Sequence, residues 1–178
     1  DRSCSTIAIK RGGNVDAITY RPIGIIHTPF TTPKETPIQP KYAEGAKGRI
    51  ILDEAYAEGV ADVDGFSHIT LIYHLHRSEG YQLKVVPYLD TEERGLFATR
   101  APRRPNAIGI SVVVLERVDG NVLHIANVDM LDGTPLLDIK PYVEGFVGDT
   151  PVRTGWIGRA RHERAEGRAD DRFHKEDD

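Results

Sequence analysis

"IGISVVVLERVDGNVLHIANVDML", residues 108–131, decides the fold. It reads as two strands around a "VDGN" turn, with β-branched residues on either side and Asp-Gly-Asn chemistry between them, the signature of a tight hairpin. Working outward, "SHITLIYHLH" at 67–76 is a further strand. Its alternation puts Ile69, Leu71, Tyr73 and Leu75 on one face and His68, Thr70, Ile72, His74 and His76 on the other. "RPIGIIHTPF" at 21–30 and "GRIILD" at 48–53 read as strands, and so do "YQLKVVPYLD" at 81–90 and "RGLFATR" at 94–100. "DGTPLLDIKPYVEGF" opens on a tight turn and continues as a short strand that ends at Pro141. "EAYAEGVADVDGF" at 54–66 suits a short helical or turn segment. "TTPKETPIQPKY" carries prolines at 33, 37 and 40, which predicts an extended, stiffened loop.

Helical periodicity is absent until the end of the chain. Residues 1–19 read as an N-terminal extension, with a short strand near Ile7–Ile9. Residues 154–178 balance acid and base with few apolar groups, a surface helix or a tail. Many short strands between Gly and Pro turns predict a mainly β architecture, a barrel or sandwich, over a βαβ fold. No strand–GxGxxG–helix unit and no GxxxxGK[ST] loop occurs, so any nucleotide-like ligand must be held by loops on a β scaffold.

Composition narrows the choices. The chain has 178 residues, 39% of them apolar, which suits one domain with one core. Its net charge of −4 excludes a protein that binds nucleic acid through its whole surface, so such a site must be a local patch. Cys4 is the single cysteine, which excludes an internal disulfide and suits a reducing cytoplasm. The longest aliphatic run, "ISVVVL" at 110–115, is too short to span a membrane, and the first residues carry no apolar leader core.

Four constellations are candidates for chemistry. "ATRAPRRPNAIGIS" at 98–111 crowds Arg100, Arg103 and Arg104 around two prolines, Pro102 and Pro105. Stiff backbone lowers the cost of ordering a gripping loop, and arginine forks match carboxylate or phosphate. The alternative is a solvated turn with surface ion pairs. "NVDMLDGTPLLDIKPY" at 127–142 brings Asp129, Asp132 and Asp138 within ten residues, followed by Lys140 and Tyr142. Asp132 precedes a glycine and suits a turn; Asp129 and Asp138 sit among apolar residues and need partners. "YHLH" at 73–76 spaces two histidines on one strand side, but a polar strand face explains it better than a metal site, and no Cys-x-x-Cys or HExxH supports metal. "TPIQP" at 36–40 holds Gln39 between prolines, either as an adenine reader or as a spacer.

Together, "RPIGIIHTPF", "PIQP", "GFSHITLIYHLH", "GLFATRAPRRPNAIGIS" and "VDMLDGTPLLDIKPY" resemble the TsaA-like (YaeB/VirR) family, in the same order, over residues 20–157 and including "VRTGWIG". Ala101 and Ala107 stand where that family often has Ser and Pro. The resemblance implies a small, mostly antiparallel β-barrel that binds S-adenosylmethionine without a Rossmann fold, and a homodimer. It implies domain limits of 20–157, with residues 158–178 as a charged tail. It implies an enzyme, a tRNA adenine-N6 methyltransferase acting on a threonylcarbamoyl-modified adenosine beside the anticodon. The cofactor-binding positions it implies are Pro37, Ile38, Gln39, His76, Arg77, Arg100, Ile110, Asp129, Met130, Leu131 and Asp132.

The adenine amino nitrogen is a weak nucleophile, so a carboxylate that accepts its proton helps; Asp138 is the candidate base, with Tyr142 positioning or stacking on the acceptor base. Arg103, Arg104 and Lys140 are the candidate RNA patch. Two alternatives stay open: a methyltransferase for another RNA or a small molecule, and a regulatory protein that binds S-adenosylmethionine without turnover.

Overall fold

The computed structural model describes residues 17–43, 45–88, 90–144, 151 and 153–157. The short strand expected near Ile7–Ile9 and residues 158–178 lie outside them. In chain order the strands are β1 (Gly24–His27), β2 (Lys47–Leu52), β3 (His68–His74), β4 (Lys84–Val85), β5 (Arg94–Gly95), β6 (Ile108–Asp119), β7 (Val122–Ala126) and β8 (Thr134–Pro141). Six of them close a barrel in the order β1–β2–β7–β6–β3–β8, and β8 pairs back onto β1. Every pairing is antiparallel. Closure leaves the barrel without an unpaired edge.

The β6–β7 hairpin turns as the opening stretch predicts. Asp119 faces Val122 across a two-residue loop, and Gly120 takes φ 60°, the left-handed conformation that the first central position of a II′ turn requires. Strand alternation then fills the interior. Ile26, Ile50, Ile69, Leu71, Val113, Leu123, Ile125 and Leu136 are fully buried. A six-stranded barrel is narrow enough for these side chains to meet at its axis. Truncating one of them, such as Leu71→Ala, removes about 2–5 kcal/mol.

Two irregularities matter for the site. On β3, Ile72 faces Asp138 of β8 but Tyr73 faces Leu136, so Leu137 is an extra residue. This bulge reverses the inside–outside parity of β8: Leu136 is buried in the barrel and Asp138 is turned to its outer side. After β7, Asn127 takes φ 61°, and its side-chain carbonyl accepts from the Gly45 N–H at 3.1 Å. Asparagine tolerates that conformation, and it turns the chain into residues 128–131.

Two expectations need correction. The proline segment is not extended: it forms 3-10 turns at Pro33–Glu35 and Pro40–Tyr42, closed by Thr36 N–H to Pro33 O and Ala43 N–H to Pro40 O, both 3.0 Å. Proline at the first position of a helical turn forfeits an N–H that had no partner there. "YQLKVVPYLD" and "RGLFATR" are not full strands but pair only as the two-residue β4–β5 ladder. Asp90 caps the intervening turn by accepting from the N–H groups of Thr91 and Glu92 and from Arg94 Nε. Leu96–Ala98 is a 3-10 turn, so Arg100 follows a turn and not a strand end.

Candidate functional site

One end of the barrel opens into a cleft of about 430 Å³. Its walls come from the end of β3 and the residues after it, the start of β6, the 99–104 loop, the first proline turn and the 129–131 segment. A volume of this size falls within the ~300–1,000 Å³ that ligand pockets occupy.

The floor is a hydrogen-bonded line across three segments. Tyr73 Oη lies 2.9 Å from Ser111 Oγ, and Ser111 Oγ donates to Asp129 Oδ1 at 2.6 Å. Tyr73 and Ser111 are 5% and 4% exposed. The Tyr73 ring lies on Gly109, where a Cβ would come within 2.2 Å of it, so only glycine leaves the ring its place. Burial pushes the Asp129 carboxyl up to about 6, against the opposing pull of the Ser111 hydrogen bond and the Arg100 charge. Burial and the neighbouring Asp129 raise the Tyr73 phenol well above its ordinary value, so it stays protonated.

The rim is cationic. Arg77, Arg100 and Arg104 line the cleft, and Asp129 is the one carboxylate among its described lining residues. Arg100 Nη2 donates to the Ile110 carbonyl, which fixes the stem while the guanidinium keeps other donors. Arg104 Nη1 donates to Thr99 O at 3.1 Å and Ala101 O at 3.3 Å, holding the loop's shape. Ser78 Oγ donates to Pro102 O at 2.9 Å and Trp156 Nε1 to Ala98 O at 2.8 Å, which bind the loop to its surroundings. Burial, Arg77 and His74 lower His76, so its imidazole is neutral at pH 7.

The residues expected at the site divide into two groups. Pro37, Ile38, His76, Arg77, Arg100, Arg104, Ile110, Asp129, Met130 and Leu131 all line the cleft. Gln39 and Asp132 do not. Gln39 precedes the second 3-10 turn and accepts from Tyr42 N–H through its carbonyl. Asp132 joins β1 to the turn before β8, accepting from Thr28 N–H and contacting His27 Nδ1, each at 3.1 Å. Desolvation pushes its carboxyl up, but these hydrogen bonds and the His27 charge outweigh that and hold it below the usual range.

Asp138 and Tyr142 do not line the cleft either. Asp138 is turned outward by the β8 bulge and pairs with Lys140 Nζ at 2.8 Å. Tyr142 tilts against His68, 6.2 Å between rings. Both lie down the barrel from Thr134, which touches the cleft; Asp138 is four residues along β8, about 13 Å at ~3.3 Å per residue. Lys140 therefore does not join Arg103 and Arg104 in one patch. Tyr73 and Ser111 were not expected at the site, although their inward parity was readable in "HITLIYH" and "IGISVVV". Among the described residues, no three His, Cys, Asp or Glu side chains converge as metal ligands, and no helix is long and apolar enough to cross a membrane.

Comparison with known proteins places the family and the fold. The family model described as the tRNA-methyltransferase O N-terminal domain matches residues 25–147. A Pyrococcus abyssi protein named "Probable S-adenosyl-L-methionine-binding protein" is 53% identical over 156 residues, 88% of this chain and 85% of that one. The mouse tRNA (adenine(37)-N6)-methyltransferase is 32% identical over 160 residues, 84% of this chain but 37% of the mouse protein. The crystal structure of TrmO from Pseudomonas aeruginosa superposes with a TM-score of 0.66 at 34% identity, covering 79% of this chain and 62% of that one.

Proposed function

This chain belongs to the tRNA-methyltransferase O N-terminal domain family, and on that premise we propose that it is an S-adenosylmethionine-dependent methyltransferase acting on N6 of an adenosine beside the anticodon of tRNA. The finer substrate, a threonylcarbamoyl-modified adenosine, is part of the proposal. So are the homodimer, the cytoplasmic location and a functional unit spanning residues 20–157. One observation carries the reading: five separate stretches of sequence, at Pro37–Ile38, His76–Arg77, Arg100, Ile110 and Asp129–Leu131, meet around one cleft.

The cleft's donor set fits the ligand. S-adenosylmethionine presents an adenine, ribose hydroxyls, a carboxylate, an ammonium and a sulfonium. Arg100 and Arg77 match the carboxylate, and Ile38, Ile110, Met130 and Leu131 offer apolar surface to the adenine. Peptide groups of the 129–131 segment suit polar edges that need fixed direction. When bound, this cofactor supplies a methyl group already activated on sulfur. The protein's work is then alignment, worth about 7–11 kcal/mol when the reacting atoms are held in line. The Arg100–Ile110 hydrogen bond and the packed 99–104 loop hold that alignment.

The test is calorimetric titration of the protein with S-adenosylmethionine beside Arg100→Ala. Loss of one charged hydrogen bond weakens binding by about 1.5–3 kcal/mol, at least tenfold. Absence of binding in the unmodified protein would remove the cofactor assignment. Binding without methyl transfer to any adenosine-containing tRNA would instead favour a regulatory protein.

A further inference from the structure

The methyltransferase reading leaves one chemical role unfilled, since Asp138 is not at the cleft. We propose that Asp129 is the proton acceptor for the amine that is methylated, and that Ser111 and Tyr73 are positioning residues that hold its carboxylate. The inference rests on that reading of the cleft.

Three observations carry it. Asp129 is the one carboxylate among the described residues lining the cleft. It stands at the end of a line whose hydrogen-bond direction is determined. An ionised carboxylate only accepts, and a serine has one proton to give. Ser111 gives that proton to Asp129 Oδ1 at 2.6 Å, so Tyr73, 2.9 Å away, must be the donor to Ser111. The line is also rigid. Tyr73 packs on Gly109 with no room for a Cβ, and Ser111 lies near the start of β6, paired opposite Leu71. Ser111 takes part of one oxygen, which leaves the carboxylate acceptor capacity toward the cleft.

The step balances. The amine nitrogen uses its lone pair to form the new bond to the methyl carbon, as the carbon–sulfur pair leaves with sulfur and the sulfonium becomes a neutral thioether. The nitrogen's positive charge is discharged when its proton passes to Asp129, which becomes a neutral carboxyl. Burial holds Asp129 near 6, so it is ionised at neutral pH and is a stronger base than an exposed aspartate.

The groups that face Asp129 are Ser111 from β6, Tyr73 from β3 and Arg100 from the 99–104 loop; His76, Arg77 and Arg104 line the same cleft. Ser111 and Arg100 both lower the Asp129 pKa. Removing the serine hydroxyl therefore raises it. His76 is the competing acceptor on the cleft wall, its pKa lowered by burial, Arg77 and His74.

The experiment has two readouts. Carboxyl carbon NMR follows Asp129 through its titration in the ligand-free protein, with Asp129→Asn identifying the signal. In parallel, kcat/KM for methyl transfer to tRNA, which reports the groups of the free enzyme, is measured against pH. The expected result is an acidic limb in kcat/KM that coincides with the Asp129 midpoint in the unmodified protein. Both move upward together by about one pH unit in Ser111→Ala, the scale of one hydrogen bond to a charged group. Tyr73→Phe moves both in the same direction by less, because it acts through Ser111. Asp129→Asn lowers kcat at least a hundredfold, within the ~10²–10⁴ that general-base catalysis supplies.

Two outcomes overturn the proposal alone: an NMR midpoint that moves in Ser111→Ala while the kinetic limb stays, or a limb indifferent to Ser111→Ala that vanishes in His76→Gln. A cofactor-binding protein that transfers no methyl to any adenosine RNA overturns the reading beneath it, and the proposal with it. Melting curves of each variant separate loss of the fold from loss of the relay.

Discussion

Asp129 shows how one residue couples function to stability. Its carboxyl titrates at about 6 in the folded chain, above its ordinary value near 3.8. The folded state thus holds a proton that the unfolded chain has already lost between these two values. Stability falls as pH rises through that window and stays reduced above it. Asp129→Asn keeps the shape and an acceptor for Ser111 but removes the charge. Its melting temperature should exceed that of the unmodified protein above pH 6 and match it below pH 4. Thermal denaturation from pH 3.5 to 8 checks this, and a difference that persists at pH 3.5 would refute it. At this scale the sequence was partly legible. Arg100 and Asp129 declared themselves as charges among stiff or apolar neighbours. Ser111 did not, because a serine inside an aliphatic strand looks like a weak spot until its partner Asp129, 18 residues away, is placed beside it.

At the scale of elements, the two decisive features are a glycine and a bulge. Gly109 on β6 receives the Tyr73 ring across the β3–β6 ladder. Gly109→Ala forces a clash with that ring, and overpacking of this kind costs about 1–3 kcal/mol. Urea unfolding should show that loss, together with a changed Tyr73 environment in near-ultraviolet circular dichroism. The β8 bulge has the opposite consequence for Asp138. Strand alternation alone puts Asp138 on the same face as Leu136, inside the barrel; the extra residue Leu137 sends it outside to Lys140. Asp138→Asn should therefore leave both cofactor affinity and kcat within twofold of the unmodified protein, measured by the same titration and transfer assays. Alternation, turns and prolines announced the strands β1, β2, β3, β6, β7 and β8. The bulge was silent, since nothing in "TPLLDIKP" distinguishes seven paired residues from eight.

The whole molecule is acidic, with a net charge of −4, yet among the described residues its cleft is lined by three arginines and one carboxylate. Positive charge is thus concentrated at the cleft, and the remaining acidic surface discourages indiscriminate nucleic-acid binding. Arg104 lines that cleft, Arg103 precedes it in the same loop, and Phe97, 74% exposed, carries the Arg104 guanidinium over its ring at 5.8 Å. Each phosphate contact to single-stranded RNA contributes about −0.7 to the slope of log affinity against log salt. Arg103→Ala should flatten that slope for tRNA by about this amount, measured by filter binding between 50 and 300 mM salt. Lys140→Ala, at the far end of β8, should leave the slope unchanged.

The sequence by itself determined the mainly β architecture and announced its long strands. Period-two alternation, a glycine that must take positive φ and prolines that end strands are local constraints, and local constraints can be read along one chain. Only the tertiary structure decided which carboxylate faces the cleft. Closing six strands into a barrel sets the register between residues far apart in sequence, and a one-residue bulge in that register reverses which side chains point inward. That reversal turns Asp138 away, while the barrel's closure brings Tyr73, Ser111 and Asp129 into a single line.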